Sequence, residues 1–124
     1  MSEFRFRKFK VYQDALIFRR EIKNLIEKHF PKFELYVLSD QIIRAANSII
    51  LNIAEGADRS TDKDFAIFLN RSYTSLNEVV ACLDIALDES YISQQLHDQY
   101  ILKASLLADQ LSAFRRKLLK FPMK

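Results

Sequence analysis

The 124-residue chain contains one glycine, two prolines, one cysteine and no tryptophan. A sheet of several strands needs glycine and proline in its turns, so their scarcity argues against one. The lone Cys82 excludes an internal disulfide framework. Hydrophobic residues still make up 49% of the sequence, which is enough for one domain with a core. We therefore expect a single, predominantly helical domain spanning residues 1–124.

The sequence also lacks signals for export or membrane insertion. Its first residues are basic and contain no apolar stretch typical of a signal peptide. No uninterrupted apolar run approaches the roughly 18 residues of a membrane span. We expect a cytoplasmic protein that has no contact with a membrane.

Recognisable catalytic and metal-binding patterns are absent as well. His29 and His97 lie far apart in the sequence, and neither has a Cys or His at ligand spacing. There is no phosphate-binding glycine loop, nucleophile elbow or HExxH pattern. Asp84, Asp88 and Glu89 favour a solvated acidic face, because no facing Glu-x-x-His pair accompanies them. We therefore predict a protein that is not an enzyme, with no cofactor and no metal site.

Four segments carry the periodicity of helices that pack lengthwise on one another. Pro31 ends the first segment. Ser60-Thr61-Asp62 is a start signal for the third, and the fourth runs from near Ser93 through Phe121 to Pro122. The apolar seams of these three segments are Val11, Ala15, Phe18, Ile22 and Leu25; Phe65, Leu69, Ser72, Leu76, Val79, Leu83 and Ala86; and Leu96, Tyr100, Leu107, Leu111, Phe114, Leu118 and Phe121.

The connections between the four segments are short, which favours antiparallel neighbours. The predicted fold is all-α, an antiparallel up-and-down four-helix bundle. Lys103 interrupts the fourth seam once. Cys82 is most simply a small buried hydrophobe.

The second segment combines an ordered polar stripe with a wide apolar face. At 100° per residue the stripe occupies an arc of only about 80°. Its members are Gln41, Arg44, Ser48, Asn52 and Glu55. The apolar face covers about half of the wheel, more than the stripe of about 100° that faces one core. We expect this helix to bury two surfaces, the bundle core and a second contact, and to end at Gly56 as a left-handed cap.

The polar stripe has three interpretations. Charged and amide residues at this spacing usually form a solvated helix face. They can instead form a partly buried hydrogen-bond network in which Arg44 and Glu55 meet Ser75 and Glu78 across helices or subunits, which would fix register more than stability. A direct RNA contact is the third interpretation.

The segments "LSDQIIRAANSIILNIAEG" and "DFAIFLNRSYTSLNEV" resemble the four-helix bundle family whose founding members are encoded in intervening sequences of bacterial large-subunit ribosomal RNA genes. The resemblance implies a small bacterial protein with no known catalytic activity, a homopentamer, and suspected nucleic-acid binding. The pentameric accessory protein of diversity-generating retroelements, which binds nucleic acid, is more distantly similar. The residues that carry the resemblance are Gln41, Arg44, Ala45, Ser48, Asn52, Ile53, Glu55, Gly56, Phe68, Leu69, Ser75 and Glu78.

This chain departs from the family pattern at four places. Arg71 and Ser72 stand where the family has an apolar residue and Ala, Thr74 replaces a usual Gly, and the turn before Tyr91 lacks the common Gly. A charged Arg71 bears on the geometry of the subunit contact that the resemblance implies.

Charge is distributed unevenly along the chain. Residues 1–30 and 103–124 have an excess of Lys and Arg, whereas residues 31–102 have an excess of Asp and Glu. In an up-and-down bundle the two termini lie at the same end, so the basic segments should converge there. The acidic residues Asp84, Asp88, Glu89 and Asp98 should gather at the opposite end.

The basic and aromatic arm, residues 1–10, contains "FRFRKFK", which alternates ring and cation as nucleic-acid-binding segments do. An alternative is that its aromatic rings pack over the mouth of the bundle while its cations stay in water. Cations in the last turns of the fourth helix also favour its negative end, whatever they bind.

Two functions are consistent with the sequence. The first is a non-catalytic homo-oligomer that binds RNA or DNA through a basic pole, while the polar stripe, with Ser75 and Glu78, orders the assembly. The second is an oligomeric adaptor that receives a protein partner on the surplus apolar face of the second helix or at the acidic end. The candidate phosphate-binding residues of the first function are Arg5, Arg7, Lys8, Lys10, Arg115, Arg116 and Lys117.

Overall fold

The computed structural model describes residues 3–120, which form four α helices and, within that range, no strand. The helices are α1 (Lys10–His29), α2 (Leu38–Gly56), α3 (Asp62–Asp88) and α4 (Gln94–Lys120). Single 3-10 turns, Arg5–Lys8 and Lys32–Glu34, precede α1 and α2. The predicted end of the fourth helix at Phe121 and Pro122 lies outside the described residues.

Each helix packs on its neighbour in the chain, and α4 returns to pack on α1. At one end of the bundle the ring of Phe9 lies 5.3 Å from that of Phe114. At the other end the ring of Phe30 lies 5.9 Å from that of Tyr91. The start of α1 therefore meets the end of α4, and the predicted antiparallel up-and-down four-helix bundle is confirmed.

The core is built from the predicted seams. Ile22, Leu69, Leu83 and Leu111 are almost completely buried. Cys82 is buried too, and burial, with a smaller contribution from Glu78, raises the pKa of its thiol to about 11. This confirms its role as a small core residue.

Lys103, which interrupts the apolar seam of α4, has an ion-pair partner on α1. Its ammonium donates to Glu21 Oε2 on α1 at 2.9 Å. The neighbouring Tyr100 hydroxyl donates to the Glu21 carbonyl at 3.1 Å. Lys103 therefore helps to align α4 with α1, although it leaves a gap in the apolar seam.

The predicted helix boundaries follow the capping residues. Thr61 Oγ1 accepts a hydrogen bond from the Asp64 amide at 3.1 Å and begins α3. Ser93 Oγ accepts one from the Leu96 amide, also at 3.1 Å, just before α4. The first helix ends at His29, ahead of Pro31. The side chains of Thr61 and Ser93 thus satisfy backbone amides that have no partner within their own helices.

Tyr91 closes the end of the bundle opposite the termini. Its hydroxyl donates to Glu34 Oε2 at 2.7 Å, and this hydrogen bond is the main reason that the pKa of Tyr91 rises to about 12. Ser90, the residue before it, has φ of 63°, in the left-handed region that favours glycine. The turn thus holds a serine in a strained conformation.

Gly56 corrects one prediction. It was expected to end α2 in a left-handed conformation, but its φ is not positive and the chain continues in right-handed geometry through Ala57. A Cβ built at Gly56 would lie 2.5 Å from Phe68 Cβ and 3.0 Å from Phe65 Cδ1. Glycine is required here because α3 passes too close for any side chain.

Gly56→Ala should therefore destabilise the protein. Alanine favours a helix over glycine by about 1 kcal/mol, but the added methyl overlaps the Phe68 Cβ, and overpacking of this kind costs about 1–3 kcal/mol. We expect a net loss in the free energy of unfolding, measured by urea denaturation.

The matched control is Ser105→Ala, at an exposed position of α4. We expect its free energy of unfolding to stay within about 0.5 kcal/mol of that of wild type. A Gly56→Ala protein more stable than wild type would show that α3 does not press on this position.

Candidate functional site

The middle of the polar stripe joins α2 to α3. Ser48 Oγ lies 2.8 Å from Ser75 Oγ. Asn52 Nδ2 donates to the Ser48 carbonyl at 2.8 Å and to Ser48 Oγ at 3.0 Å. Below them the fully buried Ser72 donates to the carbonyl of Ile49 at 2.8 Å. The stripe therefore forms part of the predicted partly buried hydrogen-bond network.

The charged members of the stripe do not join this network within the chain. Arg44 pairs with Asp40, one turn earlier on α2, at 3.1 Å. Glu55 pairs with Arg59 at 3.0 Å. The predicted meeting of Arg44 and Glu55 with Ser75 and Glu78 is thus wrong within one chain, because carboxylates and guanidiniums four residues apart reach each other first.

The remaining stripe residue Gln41, and Glu78 on α3, are exposed. One part of the polar stripe on α2 therefore contacts α3, and the other part faces solvent. Its partly buried Ser48 hydroxyl contacts α3 and is supported by Asn52, while its charged groups face solvent.

An open depression of about 480 Å³ lies on this α2 surface. It is lined by Arg44, Asn47, Ser48, Leu51, Asn52 and Glu55. Asn47 Oδ1 accepts a hydrogen bond from Arg19 on α1, and the side chain of Leu51 is 62% exposed. The depression is open and has both polar and apolar lining, which suits a contact with a macromolecule better than the enclosure of a small molecule.

The wide apolar face of α2 is used inside the bundle. Ile42, Ile49, Ile50 and Ile53 are all buried, because α2 packs on α1 at one side and on α3 at the other. A second contact is therefore not needed to account for the width of this face.

Other parts of the molecule expose large apolar side chains. One group lies on α1 and α4, the other on the connection between α1 and α2. The first comprises Ile17, Leu102 and Leu106, which we call the α1–α4 patch. The second comprises Phe33, Leu35, Tyr36 and Val37, which we call the exposed loop. Neither group stood out from the helical periodicity, since such residues are apolar without belonging to a seam.

The two basic segments converge at one end, as predicted, but two of the seven candidate phosphate ligands already have partners. Arg5 Nε donates to the carbonyl of Ala57 at 3.1 Å, and its guanidinium lies over the rings of Phe9 and Phe65. Lys10 forms an ion pair with Asp14. Arg5 thus attaches the arm to the bundle, and Lys10 pairs within the first turns of α1.

The other five candidates are exposed, and within residues 3–120 none has a carboxylate at ion-pair distance. Phe9 stands next to Lys8, and Phe114 next to Arg115, so the contact between the two rings brings the two groups to the same end. We call this set the basic pole: Arg7, Lys8, Arg115, Arg116 and Lys117.

The aromatic residues of the arm mostly pack on the bundle. The ring of Phe6 lies 4.9 Å from that of Tyr12, and Phe9 stacks on Phe65 at 6.1 Å. Phe4 stays 63% exposed. The alternative in which the rings cover the mouth of the bundle is therefore the better description for Phe6 and Phe9.

The acidic residues divide between the two ends. Asp84 lies 2.8 Å from His97 Nε2, at the end opposite the termini. The chain between α2 and α3, however, returns to the basic end, and further carboxylates lie there on the end of α2, the connection and the start of α3, including Glu55, Asp58 and Asp64. The predicted gathering of Asp84, Asp88, Glu89 and Asp98 at the far end is confirmed, because α3 ends and α4 begins there. Acidic charge is not confined to that end, which the summed charge of residues 31–102 did not reveal.

One cluster was not predicted from the sequence. The guanidinium carbon of Arg59 lies 4.2 Å from the centre of the Phe68 ring, and that of Arg71 lies 4.5 Å from it. The sequence pointed to Arg71 only as a departure from the family. Its position three residues after Phe68 on a helix was the available signal.

In the described range 3–120 no group of three or more His, Cys, Asp or Glu side chains is placed to hold a metal ion. None of the helices in that range combines the length and apolar character that crossing a membrane requires.

Comparison with known proteins identifies a family and a similar solved structure. Residues 7–113 match the model of the 23S rRNA-intervening sequence protein family. The fold is also similar to the crystal structure of a protein with unknown function from the S23 ribosomal protein family of Bacteroides thetaiotaomicron. That protein is 25% identical, with a TM-score of 0.76, and the match covers 85% of this chain and 97% of the other. No curated protein matches the chain.

The hydrogen bond between Ser48 and Ser75 should couple α2 to α3 energetically. Ser48→Ala and Ser75→Ala should each lower the free energy of unfolding by about 1 kcal/mol, because each leaves a partly buried hydroxyl without its partner. The double variant should lose clearly less than the two single losses together. Urea denaturation of the four proteins measures this coupling, and strictly additive losses would contradict it.

Proposed function

Since the chain belongs to the 23S rRNA-intervening sequence protein family, we propose that it is a non-catalytic homo-oligomer that binds RNA or DNA through the basic pole. The observation that carries this proposal is the concentration of five exposed cations, none paired with a carboxylate of residues 3–120, on the side of one end formed by the arm and α4. Cations without carboxylate partners release counterions from a phosphate backbone when they bind, which is the main source of such affinity.

The division of charge at this end supports a directional contact. The arm and α4 present the basic pole, whereas the connection from α2 to α3 presents carboxylates such as Asp58. A polyanion is attracted more strongly to the first side than to the second. The pole therefore offers one face to a nucleic acid.

The described polar groups support a role without catalysis. The hydroxyls of Ser48, Ser72 and Ser75 are all engaged in the contact between α2 and α3. Cys82 is buried in the core, with its pKa raised to about 11. These three hydroxyls and the thiol are thus committed to structure.

Assembly is supported by the α1–α4 patch. Leu102 and Leu106, one turn apart on α4, are 61% and 58% exposed, and Ile17 of α1 lines the same groove as Leu106. A second copy that covers this patch would remove apolar surface from water. In the pentamer that the resemblance implies, the basic pole would repeat five times around a ring. Substitutions of the exposed Leu102 and Leu106 are suited to test assembly. A substitution of Ile50 would test folding instead, because Ile50 is buried in the core.

The exposed loop favours a second candidate function, an oligomeric adaptor for another protein. Tyr36 and Phe33 are 87% and 77% exposed at the end opposite the basic pole. Exposed aromatic residues are enriched where proteins bind each other. This candidate requires no contribution from the basic pole, so one experiment separates the two functions.

Replacing Arg115, Arg116 and Lys117 together with alanine should weaken binding to a labelled single-stranded RNA. Loss of three phosphate contacts should also reduce the slope of log affinity against log salt concentration by about 2. Fluorescence anisotropy at several salt concentrations measures both quantities.

The matched control replaces Lys23, Lys28 and Lys32 with alanine, which removes the same charge from α1 and the connection that follows it. The control should bind nearly as wild type does. If the two triple variants bind alike, the basic pole is not the binding surface.

A further inference from the structure

The ring of Phe68 holds two arginines at the edge of the α2–α3 surface. We infer that Arg59 and Arg71 form a phosphate-binding site for the backbone of the nucleic acid; this inference rests on the function proposed above. Both guanidinium carbons lie within 4.5 Å of the ring centre, well inside the roughly 6 Å over which a cation is attracted to an aromatic face.

The platform of this site is fixed by the fold. Phe68 is only 7% exposed, and its Cβ lies where a side chain at position 56 would have to be, so Gly56 presses directly on it. A closely packed ring limits the positions that the two arginines can take. Their ordering costs less when a ligand binds, because part of their freedom is already lost.

The charges of the cluster are not balanced within the described chain. Arg59 has a partner in Glu55 at 3.0 Å. Arg71 is exposed, and no carboxylate among residues 3–120 lies within ion-pair distance of it. One positive charge is therefore uncompensated, which suits the single negative charge of a phosphodiester.

The geometry of the stacked guanidinium, like its charge, suits a phosphate. A guanidinium stacked on a ring has one face covered, but the N–H groups on its edge still point outwards. These groups form paired hydrogen bonds with the oxygens of a phosphate, which a lysine ammonium cannot match. Arg71 can therefore bind a phosphate without leaving Phe68.

The site is placed to extend the basic pole. Phe65, three residues before Phe68 on α3, stacks on Phe9 and lies 5.2 Å from Phe114, ring to ring. The arginines thus lie near the same end of the bundle as the pole, on the side formed by α2 and α3. A strand bound at the pole of one subunit can continue along this side, or reach it on a neighbouring subunit of the proposed oligomer.

Arg71→Gln tests the site, with Arg20→Gln as the matched control. Arg20 is an exposed arginine on α1 that lies over no described ring. The probe is the labelled single-stranded RNA used above. We expect Arg71→Gln to weaken binding roughly fivefold to tenfold and to lower the salt slope by about 0.7, and Arg20→Gln to change neither.

Arg71→Lys adds a test of geometry. It keeps the charge but loses the flat, doubly donating group, so we expect it to restore the salt slope and only part of the affinity. Light scattering on each variant checks the size of the assembly, and urea denaturation checks its stability.

The outcomes separate this inference from the proposed function. If wild type binds, the triple pole variant fails to bind, and Arg71→Gln equals Arg20→Gln, the arginine site is overturned while the basic pole stands. If wild type binds no nucleic acid at low salt, the proposed function fails and takes the site with it. If Arg71→Gln instead changes the mass of the assembly, Arg71 contacts a neighbouring subunit and the site is again overturned.

Discussion

The close packing of α3 on α2 is the constraint on which the rest of this structure depends. It is possible because the contact is made by small residues: Gly56 at one end and Ser48, Ser72 and Ser75 along its length. Small residues let backbones approach, and their hydroxyls replace the lost apolar contacts with hydrogen bonds between the helices. The single glycine of the chain is used here, for space and not for backbone conformation.

That packing also determines how the surface chemistry is arranged. Because α3 lies close to Gly56, Phe65 and Phe68 project at fixed positions near the end of the bundle. Phe65 joins the arm and the end of α4 through Phe9 and Phe114. Phe68 holds Arg59 and Arg71. A contact between two helices thus positions both the basic pole and the arginine pair.

Much of the fold could be predicted from the sequence, because seam spacing and capping residues act locally. Thr61 and Ser93 cap their own helices, and the buried side chains follow the predicted seams. The conformation of Gly56 could not be predicted in this way, because its cause is a residue on another helix. A glycine near a helix end is consistent with either a left-handed cap or a close contact, and only the position of Phe68 distinguishes them.

The candidate site was predicted less well, for a related reason. The sequence identified the polar stripe, yet the ion-pair partners of its charged members are set by competition between nearby and distant groups. Asp40 lies one turn from Arg44, and Arg59 four residues from Glu55, so local pairs form first. Summing charge over long segments of the sequence likewise could not predict that Asp58 lies at the basic end. The exposed loop has no periodic pattern at all and becomes visible only in the fold.

The most direct test of this account is the binding of the unmodified protein to RNA across a range of salt concentrations, with the mass of the complex measured by light scattering. The account predicts a multimer whose affinity falls with salt at a slope of at least about 2 in log–log form, the signature of several phosphate contacts. A well-formed oligomer that binds no RNA or DNA at low salt would contradict it, and the exposed loop would then become the leading surface for a protein partner.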